Sequence, residues 1–465
     1  MGIGYFQLTI RNQNDIYLIG NPEMTFFKQV YKRHTNFAKE SVLLNFPTDT
    51  TIPQGDSFEK TFHITIPKNG DLVHKMYLAI DIQSNTENGV GSDASGNAYN
   101  MTNNAFGLID DIELLIGDEC IDRHTGEWLA IYSSLFTAEA KNLAICDMVD
   151  IYQNVKFKNS SGIFDKEGIV FIPLVFWFNR NPGLALPLLA LQYADVRLRV
   201  KLKSNALIFN TGTGDPRRTN NTDTGISINR IQLLTEFIFL DKEEKSLFAT
   251  HPHEYLIEQV QCSDKEPIES KDDLTVSEFQ NYQHKIELSF NHPVKALFWS
   301  IQDDQSSDGS KVARGNQLFN YWNNLDFSDT TGRRNTVIDA SIALNGYEIF
   351  DPLTGLYFNQ VTKNEHFSGN GFEGLVVENT NPQYAIDLTK GIGVYSYSFA
   401  LHPEHHQPSG TLNFSKLDRA ELRLRVRRTQ LNDTTTSVQK YFRAYALNYN
   451  ILRIASGSGG LVFQN

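Results

Sequence analysis

Residues 109–128 read IDDIELLIGDECIDRHTGEW and residues 338–357 read IDASIALNGYEIFDPLTGLY, so one segment occurs twice in the chain. At a constant offset of 229 residues, with no gap, eight of the twenty positions are identical. The identical pairs are Ile109/Ile338, Asp110/Asp339, Leu115/Leu344, Gly117/Gly346, Glu119/Glu348, Asp122/Asp351, Thr125/Thr354 and Gly126/Gly355. A second pair follows in the same order, YADVRLRVKL at 193–202 and RAELRLRVRR at 419–428. Because the offset is about half of the 465 residues, the sequence predicts a duplicated domain rather than a short repeat.

The composition excludes several classes of protein. Aromatic residues make up 12% of the chain, which is enough to fill two cores, and the formal net charge is −12. Proteins that wrap duplex DNA normally carry a basic excess, so direct nucleic-acid binding is not expected. Cys120, Cys146 and Cys262 are far apart and form no CxxC pair, which argues against a disulfide framework or a zinc site. The N-terminus lacks the pattern of a signal peptide, and the longest apolar run, residues 168–178, is too short to cross a bilayer.

Short segments of alternating polarity dominate the chain and predict antiparallel β-sandwiches. The predicted strands are 58–66, 72–82, 108–116, 168–178, 193–202, 226–240, 284–290, 294–302, 337–344, 393–401, 420–426 and 444–454. Few helices are predicted, and the best candidate is 126–142 with Thr125 as its N-cap. A short helix is predicted at 22–31, and a charged, helical connector at 241–247 places the domain boundary near 241–254.

Two long polar loops, 84–104 and 302–336, interrupt the strand pattern. Loops of this length in a compact domain are usually functional or disordered. The second loop carries Phe319, Tyr321, Trp322 and Phe327, so we expect it to pack against another part of the protein.

Residues 12–42, NQNDIYLIGNPEMTFFKQVYKRHTNFAKESV, resemble the opening segment of the double jelly-roll major capsid proteins of nucleocytoplasmic large DNA viruses. The family pattern is D-x-Y-L-x-G-N-P-x-x-T-F-F-K-x-V-Y-x-R-x-T-N-F-A. It is matched by Asp15, Tyr17, Leu18, Gly20, Asn21, Pro22, Thr25, Phe26, Phe27, Lys28, Val30, Tyr31, Arg33, Thr35, Asn36, Phe37 and Ala38.

Two further segments carry the same resemblance. Residues 402–418, HPEHHQPSGTLNFSKLD, are similar to the family's P-x-x-x-Q-P-S-G-x-x-N-x-S segment. The C-terminal NYNILRIASGSGGL resembles the family's N-Y-N-x-L-R-I-x-S-G-x-G-G-L. Because the matches lie at the start, late middle and end, and the duplication spans the interior, the resemblance covers essentially the whole chain.

The resemblance implies an all-β fold with two tandem eight-stranded antiparallel jelly rolls and few short helices. Its divisions would be an N-terminal basal arm (1–24), a first jelly roll (25–240), a linker (241–254) and a second jelly roll (255–465). Loops 84–104 and 302–336 become candidates for outward-facing towers. The implied function is that of a structural protein, whose trimers form pseudo-hexameric capsomers and tile the icosahedral shell of a large double-stranded DNA virus.

The resemblance also implies partners and a location. The expected partners are two further copies of the chain, neighbouring capsomers, and minor capsid and penton proteins. The segment Met1–Thr35 mixes cations with aromatic side chains, so contact with an inner membrane is an alternative to packing against the chain's own rolls and minor capsid proteins. The expected location is the virion shell, after assembly in the host cytoplasm or a viral factory.

Candidate chemical sites are few. Three histidines, His402, His405 and His406, form a cluster of a kind that can bind zinc or copper. Pro403 and Pro408 bracket the cluster and prevent a helical H-x-x-x-H face, so a surface loop is expected. The chain contains no G-x-S-x-G, H-E-x-x-H or P-loop pattern. The sequence therefore predicts no enzyme and no catalytic, cofactor-binding or metal site. The duplicated pairs Glu119/Asp122 and Glu348/Asp351 are interpreted as a repeated turn.

Two strands carry alternating cations, Arg197, Arg199, Lys201 and Lys203 in the first half and Arg423, Arg425 and Arg427 in the second. Period two places them on one strand face. A solvated face, a subunit contact and a nucleic-acid groove remain the alternatives. Asn-x-Ser/Thr sequons at Asn100, Asn159, Asn220, Asn413 and Asn432 leave glycosylation open.

The second functional hypothesis is a carbohydrate-binding or glycan-hydrolysing double jelly roll, because aromatic-rich sandwiches host both functions. Trp299, Tyr321 and Trp322 are the candidate sugar platform. A glycan-array or hydrolase screen would discriminate between the two hypotheses, and so would particle sizing, because the capsid hypothesis requires stable trimers and large assemblies.

Overall fold

A computed structural model describes most of the chain. The described residues are 19, 21–53, 59–84, 91–92, 98–101, 104–151, 156–157, 168–203, 209–211, 226–268, 278, 281–303, 319, 321, 335–369, 393–427 and 439–464. The chain divides into two compact units, Met1–Phe37 and Ala38–Asn465, and both copies of the duplicated segment lie in the second unit.

The first half folds into two antiparallel sheets. Its main strands are β1 (Phe37–Asn45), β2 (Thr61–Thr65), β3 (Leu72–Ser84), β4 (Ile109–Ile116), β5 (Glu119–Thr125), β6 (Ile169–Pro173), β7 (Val196–Leu202) and β8 (Ile226–Leu240). One sheet has the order β1-β8-β3-β6, and the other has the order β2-β7-β4-β5. This distribution of successive strands between two sheets is that of a jelly roll.

The second half repeats the topology. Its main strands are β9 (His253–Cys262), β10 (Gln283–Glu287), β11 (Pro293–Asp303), β12 (Val337–Leu344), β13 (Tyr347–Glu348), β14 (Tyr395–Ser398), β15 (Ala420–Val426) and β16 (Lys440–Ala455). The sheet orders are β9-β16-β11-β14 and β10-β15-β12-β13. The predicted all-β double jelly roll is therefore confirmed.

Short strands supplement both rolls. They are Gly91–Ser92, Ala98–Met101, Lys156–Phe157, Leu186–Pro187, Phe209–Thr211, Glu266–Ile268, Leu353–Thr354, Leu412–Asn413 and Ser458–Leu461. Three of them, from residues 91–92, 98–101 and 209–211, form a small sheet of their own, which includes described parts of loop 84–104. Most of loops 84–104 and 302–336 lies outside the described residues, so the tower assignment stays a prediction.

The helices are few and short, as predicted. The α-helices are α1 (Gly126–Phe136), α2 (Glu139–Val149), α3 (Trp177–Arg180), α4 (Lys242–Thr250) and α5 (Thr362–His366). Four 3₁₀ turns, Ala105–Leu108, Pro182–Leu184, Leu188–Ala190 and Phe414–Lys416, and a π-helix, Tyr357–Val361, complete the described set. In the connector, the side chain of Asp241 caps α4 by accepting from the Lys242 N–H (2.7 Å).

Three predicted elements were wrong in detail. The single helix expected at 126–142 is two helices, because Thr137 and Ala138 have extended backbone between them. The strand expected at 168–178 ends at Pro173, which has no N–H to extend the ladder, and α3 begins at Trp177. Residues 22–31 form no helix; their aromatic side chains are exposed, so no apolar face stabilises one.

The duplicated segment forms a hairpin in each roll, but the two turns differ by one residue. Ile116 pairs with Glu119 in the first roll, and Leu344 pairs with Tyr347 in the second. The loops are therefore Gly117-Asp118 and Asn345-Gly346. Gly117 has φ 63°, whereas Asn345 and Gly346 have φ 50° and 89°. The shared glycine is the first loop residue in one turn and the second in the other, and both positions need positive φ.

The second glycine shared by the two copies answers a packing requirement. A Cβ on Gly126 would clash with the carbonyl oxygens of Phe106 and Ile109, and a Cβ on Gly355 would clash with that of Val337. Each glycine thus lets the chain pass directly against the neighbouring strand as it leaves the hairpin and enters a helix. The repeated glycines are architectural in both rolls.

Candidate assembly interface

Helix α1 of the first roll packs on the outer face of the second roll's β9-β16-β11-β14 sheet. Thr125 caps the helix, its Oγ1 accepting from the Trp128 N–H at 3.1 Å. The fully buried Trp128 ring lies 5.4 Å from Phe298 and 5.5 Å from Tyr445, centroid to centroid. Phe298, Tyr445 and Leu447 belong to the same apolar cluster as the first roll's interior. The two rolls therefore share a continuous core at this joint.

Glu127 provides the main electrostatic contact of the joint. Its carboxylate accepts from Ser300 Oγ (3.1 Å) and from Arg443 Nη1 (3.1 Å), both in the second roll. Burial opposes ionisation, but the charges of Lys265, Arg443 and Lys203 outweigh it and lower the pKa of Glu127 to about 2. Burial also lowers the pKa of Lys203 to about 8. The negative charge on Glu127 is thus balanced in part by the cations Arg443 and Lys265 of the second roll.

The depressed pKa predicts a specific loss of stability in acid. The ordinary pKa of Glu127 is 4.5 and the folded value is about 2, so its ionised form favours folding at every pH above 4.5. This contribution is about 3 kcal/mol and is lost as the pH falls through 4.5 towards 2. Urea unfolding of wild type and Glu127→Gln should differ less at about pH 3 than at about pH 5. An equal difference at both pH values would contradict the assignment.

The edge strand β9 of the second roll meets strand β5 of the first roll. The Val260 N–H donates to Asp122 Oδ1 at 3.1 Å, and the Gln259 side chain donates to the Ile121 carbonyl. Asp122 also lies 3.0 Å from Nε2 of the buried His124. The carboxylate of Asp122, which belongs to the duplicated segment, therefore accepts a hydrogen bond from a backbone N–H on the edge of strand β9.

A second charged cluster in the joint is centred on Glu258. Arg180 of the first roll donates to Glu258 Oε2 at 2.5 Å, and the fully buried Lys295 donates to the other oxygen. Burial lowers the pKa of Lys295 against the effect of Glu258. His406 Nδ1 lies 3.9 Å from the same carboxylate, and burial lowers its pKa. One carboxylate therefore faces two cations and one imidazole.

The histidine loop at 402–410 lies beside this cluster. The rings of His402 and His405 are 5.4 Å apart on the exposed side, whereas His406 faces Glu258. The Tyr449 hydroxyl donates to the His406 carbonyl (3.2 Å), and Ser409 Oγ accepts from the His402 N–H (2.9 Å). In the described part of the chain, no three His, Cys, Asp or Glu side chains are arranged to hold a metal ion.

The C-terminal hairpin of the second roll packs on the first roll. The Tyr193 N–H donates to the Gly457 carbonyl (2.9 Å), and the Leu461 N–H donates to Glu119 Oε2 (3.3 Å). Gly457 has φ 80°, and a Cβ there would clash with the Tyr193 ring. The glycine-rich C-terminal segment is thus suited to close contact between the two rolls.

The cations of strands β7 and β15 form ion pairs within their own sheets. Arg197 pairs with Asp118 (2.6 Å), Lys201 with Asp110 (2.7 Å), and Arg425 Nε with Asp339 (2.8 Å). Arg199 pairs with Glu113 and Arg423 with Glu348 and Glu421. Neighbouring strands therefore neutralise these cations, which favours the solvated-face interpretation over a basic groove.

The remaining candidate residues fall in different environments. Trp299 and Tyr321 are buried, so these two cannot stack on a sugar, and Trp322 lies outside the described residues. Asn413 is exposed, and Asn100 lies in the short strand Ala98–Met101. Asn159, Asn220 and Asn432 lie outside the described residues. Cys120, Cys146 and Cys262, all described, form no disulfide.

The described part of the first unit, residues 19 and 21–37, exposes a group of large apolar side chains. Met24, Phe26, Phe27, Val30 and Tyr31 are exposed, and Phe27 reaches 98% exposure. Large apolar side chains grouped in this way mark an interaction segment. Among the described residues, no helix has the length and apolar character needed to cross a bilayer.

Sequence reasoning missed the residues that join the rolls, chiefly Trp128, Glu127, Glu258 and Lys295. One signal was available, because Lys295 interrupts the apolar run of a predicted central strand. A lysine there must find a counter-ion, which Glu258 supplies. Glu127 carried no such signal, because an acidic residue in the first turn of a helix is ordinary.

Comparisons with known proteins agree over the whole chain. The family "Major capsid protein N-terminus" matches residues 25–241, and "Large eukaryotic DNA virus major capsid protein" matches residues 244–460. The chain is 34% identical to the major capsid protein of Pyramimonas orientalis virus and 32% identical to that of Paramecium bursaria Chlorella virus 1, with 100% of each sequence covered. The crystal structure of PBCV-1 VP54 matches with a TM-score of 0.69 and 28% identity, over 95% of this chain and 100% of that one.

Two jelly rolls fused through a shared core, with whole-length similarity to shell proteins, define a double jelly-roll capsid protein. The chain belongs to the family of large eukaryotic DNA virus major capsid proteins. Its role is structural, and its place is the capsid of the virion.

Proposed function

We propose that three copies of the chain form a pseudo-hexameric capsomer, and that these capsomers tile the icosahedral shell of a large double-stranded DNA virus. The proposal includes the division into a basal arm (1–24), a first roll (25–240), a linker (241–254) and a second roll (255–465). It also includes a purely structural role without a catalytic site, and assembly in the host cytoplasm or a viral factory.

The observation that carries this proposal is the joint between the two rolls. Similar rolls meet through a specific buried contact, helix α1 on the neighbouring sheet, rather than through a flexible linker alone. If the second roll meets the first roll of another copy in a similar way, the contact is heterologous and closes after three chains. The six similar rolls of three chains then fill a hexagonal tile.

Mass measurement of the purified protein tests the trimer. We expect a species of three times the 52.8 kDa chain mass at micromolar concentration, and electron microscopy should show hexagonal particles. A single-chain mass under these conditions would contradict the proposed capsomer.

The N-terminal arm is proposed to contact other shell proteins, namely minor capsid and penton proteins. The residues that directly follow the arm are exposed and combine Phe26, Phe27 and Tyr31 with Lys28 and Lys32, so this end of the chain offers both apolar area and charge. An inner membrane is the alternative partner, because aromatic and basic side chains together also favour a lipid interface.

Deleting residues 1–20 is expected to abolish shell assembly while the two rolls stay folded. The core cluster of the described residues is built from Phe46 onward, so the unfolding midpoint should change little. Particle counts by electron microscopy and urea unfolding of the same preparation provide the two measurements. Normal shells from the truncated chain would contradict the role of the arm, and flotation of the full-length chain with anionic vesicles would favour the membrane alternative.

A further inference from the structure

The histidine loop, residues 402–410, turns one of its three imidazoles towards the Glu258 cluster. His406 Nδ1 lies 3.9 Å from Glu258 Oε1, and 30% of the His406 side chain is exposed. His402 and His405 are exposed, whereas Pro403 is buried. Within this loop, all of which is described, His406 is therefore the histidine that faces buried charges.

The carboxylate opposite His406 already has two cationic partners. Arg180 donates to Glu258 Oε2 (2.5 Å), and Lys295 donates to Oε1, the oxygen that His406 approaches. A protonated His406 could therefore bind Glu258 closely only by displacing the ammonium group of Lys295. Lys295 is fully buried, so the loss of this partner would be costly.

The charges near His406 balance while its imidazole is neutral. The cations are Arg180 and Lys295, and the carboxylates whose charges act on Lys295 are Glu258 and Glu404. Burial lowers the pKa of His406; Glu258 opposes this effect, and Lys295 and Arg180 add to it. Protonation would leave one positive charge in excess at a part-buried site.

The other titratable side chains around the loop have different surroundings. They include His366, Glu365, His402, His405, Tyr132 and Tyr449. His366 lies 3.9 Å from its neighbour Glu365, and His402 and His405 are exposed. Protonation of these three rings therefore takes place beside a carboxylate or in water, unlike that of His406.

Hydrogen bonds connect the histidine loop to a second segment that lies on the first roll. Glu404 Oε1 accepts from the Ser368 N–H (2.6 Å). The next N–H, that of Gly369, donates to the Leu135 carbonyl in the last turn of α1 (2.8 Å). Movement of the histidine loop would therefore also loosen residues 367–369 from α1.

We propose that the histidine loop is an acid-sensitive flap, which protonation of His406 releases from the Glu258 cluster at the joint between the rolls. The ordinary pKa of His406 is 6.5, and the closed loop favours the neutral ring, so the closed loop is most stable above pH 6.5 and loses stability below it. Glu127 acts only below 4.5, so the two effects are separable. The inference concerns a single chain and does not depend on the proposed capsomer.

Hydrogen exchange measured by mass spectrometry tests the flap at about pH 7.5 and about pH 5.5, with exchange times corrected for the chemical rate at each pH. The reporters are the His402 N–H, which donates to Ser409 Oγ (2.9 Å), and the His405 N–H, which donates to the His402 carbonyl (3.2 Å). In the wild type, their protection should fall by up to about tenfold at the lower pH, because the released loop binds one more proton.

Three variants separate His406 from its neighbours. His406→Gln cannot take up a proton, so its loop should be equally protected at both pH values. His406→Lys carries a fixed charge, so its loop should exchange faster than that of the wild type even at about pH 7.5. His405→Gln is the matched control, because His405 is exposed in the same loop, and it should respond to pH as the wild type does.

A wild-type response to pH in His406→Gln would overturn the inference, and so would unchanged protection of the wild-type loop at about pH 5.5. Loss of protection spread evenly over both rolls would also overturn it, because a flap requires a local change. Circular dichroism melting at both pH values verifies the fold of each variant. Should His406→Lys fail to fold, the comparison of wild type with His406→Gln decides the outcome.

Discussion

Replacing Trp128 with alanine is expected to lower the free energy of unfolding by about 3–5 kcal/mol, the range for removing a large buried aromatic side chain. Trp128 is fully buried and packs against Phe298 and Tyr445 of the second roll as well as Tyr132 and Phe136 of its own helix. The cavity would open at the point where the two cores meet. The loss should therefore affect both rolls rather than the first alone.

Urea unfolding followed by circular dichroism measures this effect, because the free energy of unfolding varies linearly with denaturant. Trp128→Phe is the control, since it retains most of the apolar contact and should cost clearly less. Limited proteolysis of Trp128→Ala should cleave the connector 241–254 sooner than in wild type. A loss below about 1 kcal/mol for Trp128→Ala would contradict a shared core at this position.

Much of the architecture was predictable from the sequence. The matched segments at 109–128 and 338–357 indicated two similar domains, and alternating polarity located strands such as β7 and β15, whose burial alternates as expected. Strand β1 was missed because it lies at a sheet edge and is exposed along most of its length, and its sequence, FAKESVLLN, has no regular alternation of polar and apolar residues.

The joint between the rolls was not predictable in the same way. Asp122 and Asp351 are the same residue at the same position of the repeat, yet one binds the Val260 N–H and the other is exposed. Whether such an aspartate is buried depends on which part of the protein packs against it, and the local sequence does not show which part that is. The position of the turn also differs by one residue between the two copies, Gly117-Asp118 and Asn345-Gly346. The sequence did not show this shift, because a gapless alignment matches the glycines and contains no information on the hydrogen-bond register.

The difference between the rolls has a physical logic. The internal joint never has to separate, so it can contain charges such as Glu127 whose partners are fixed by the fold. In the second roll, Leu356 occupies the same position and is exposed, and a leucine there leaves no charge without a partner.

Replacing Glu127 with alanine is expected to lower the free energy of unfolding by about 3–5 kcal/mol, because removal of one partner leaves buried cations uncompensated. Arg443 would lose its Glu127 partner, and Lys203 would lose the charge that favours its protonated form. Ser300 would lose its acceptor as well. The cost should exceed that of truncating the exposed Leu356, which occupies the same position in the second roll.

The double variant Glu127→Ala/Arg443→Met separates the charge effect from the loss of packing. Removing both charges leaves no uncompensated guanidinium, so about half or more of the lost stability should return. Urea unfolding of the wild type, both single variants and the double variant completes the cycle. If the two single effects add without coupling, the pair does not stabilise the joint as a unit. A coupling energy above about 1 kcal/mol would instead show that the Glu127–Arg443 ion pair stabilises the contact between the two rolls.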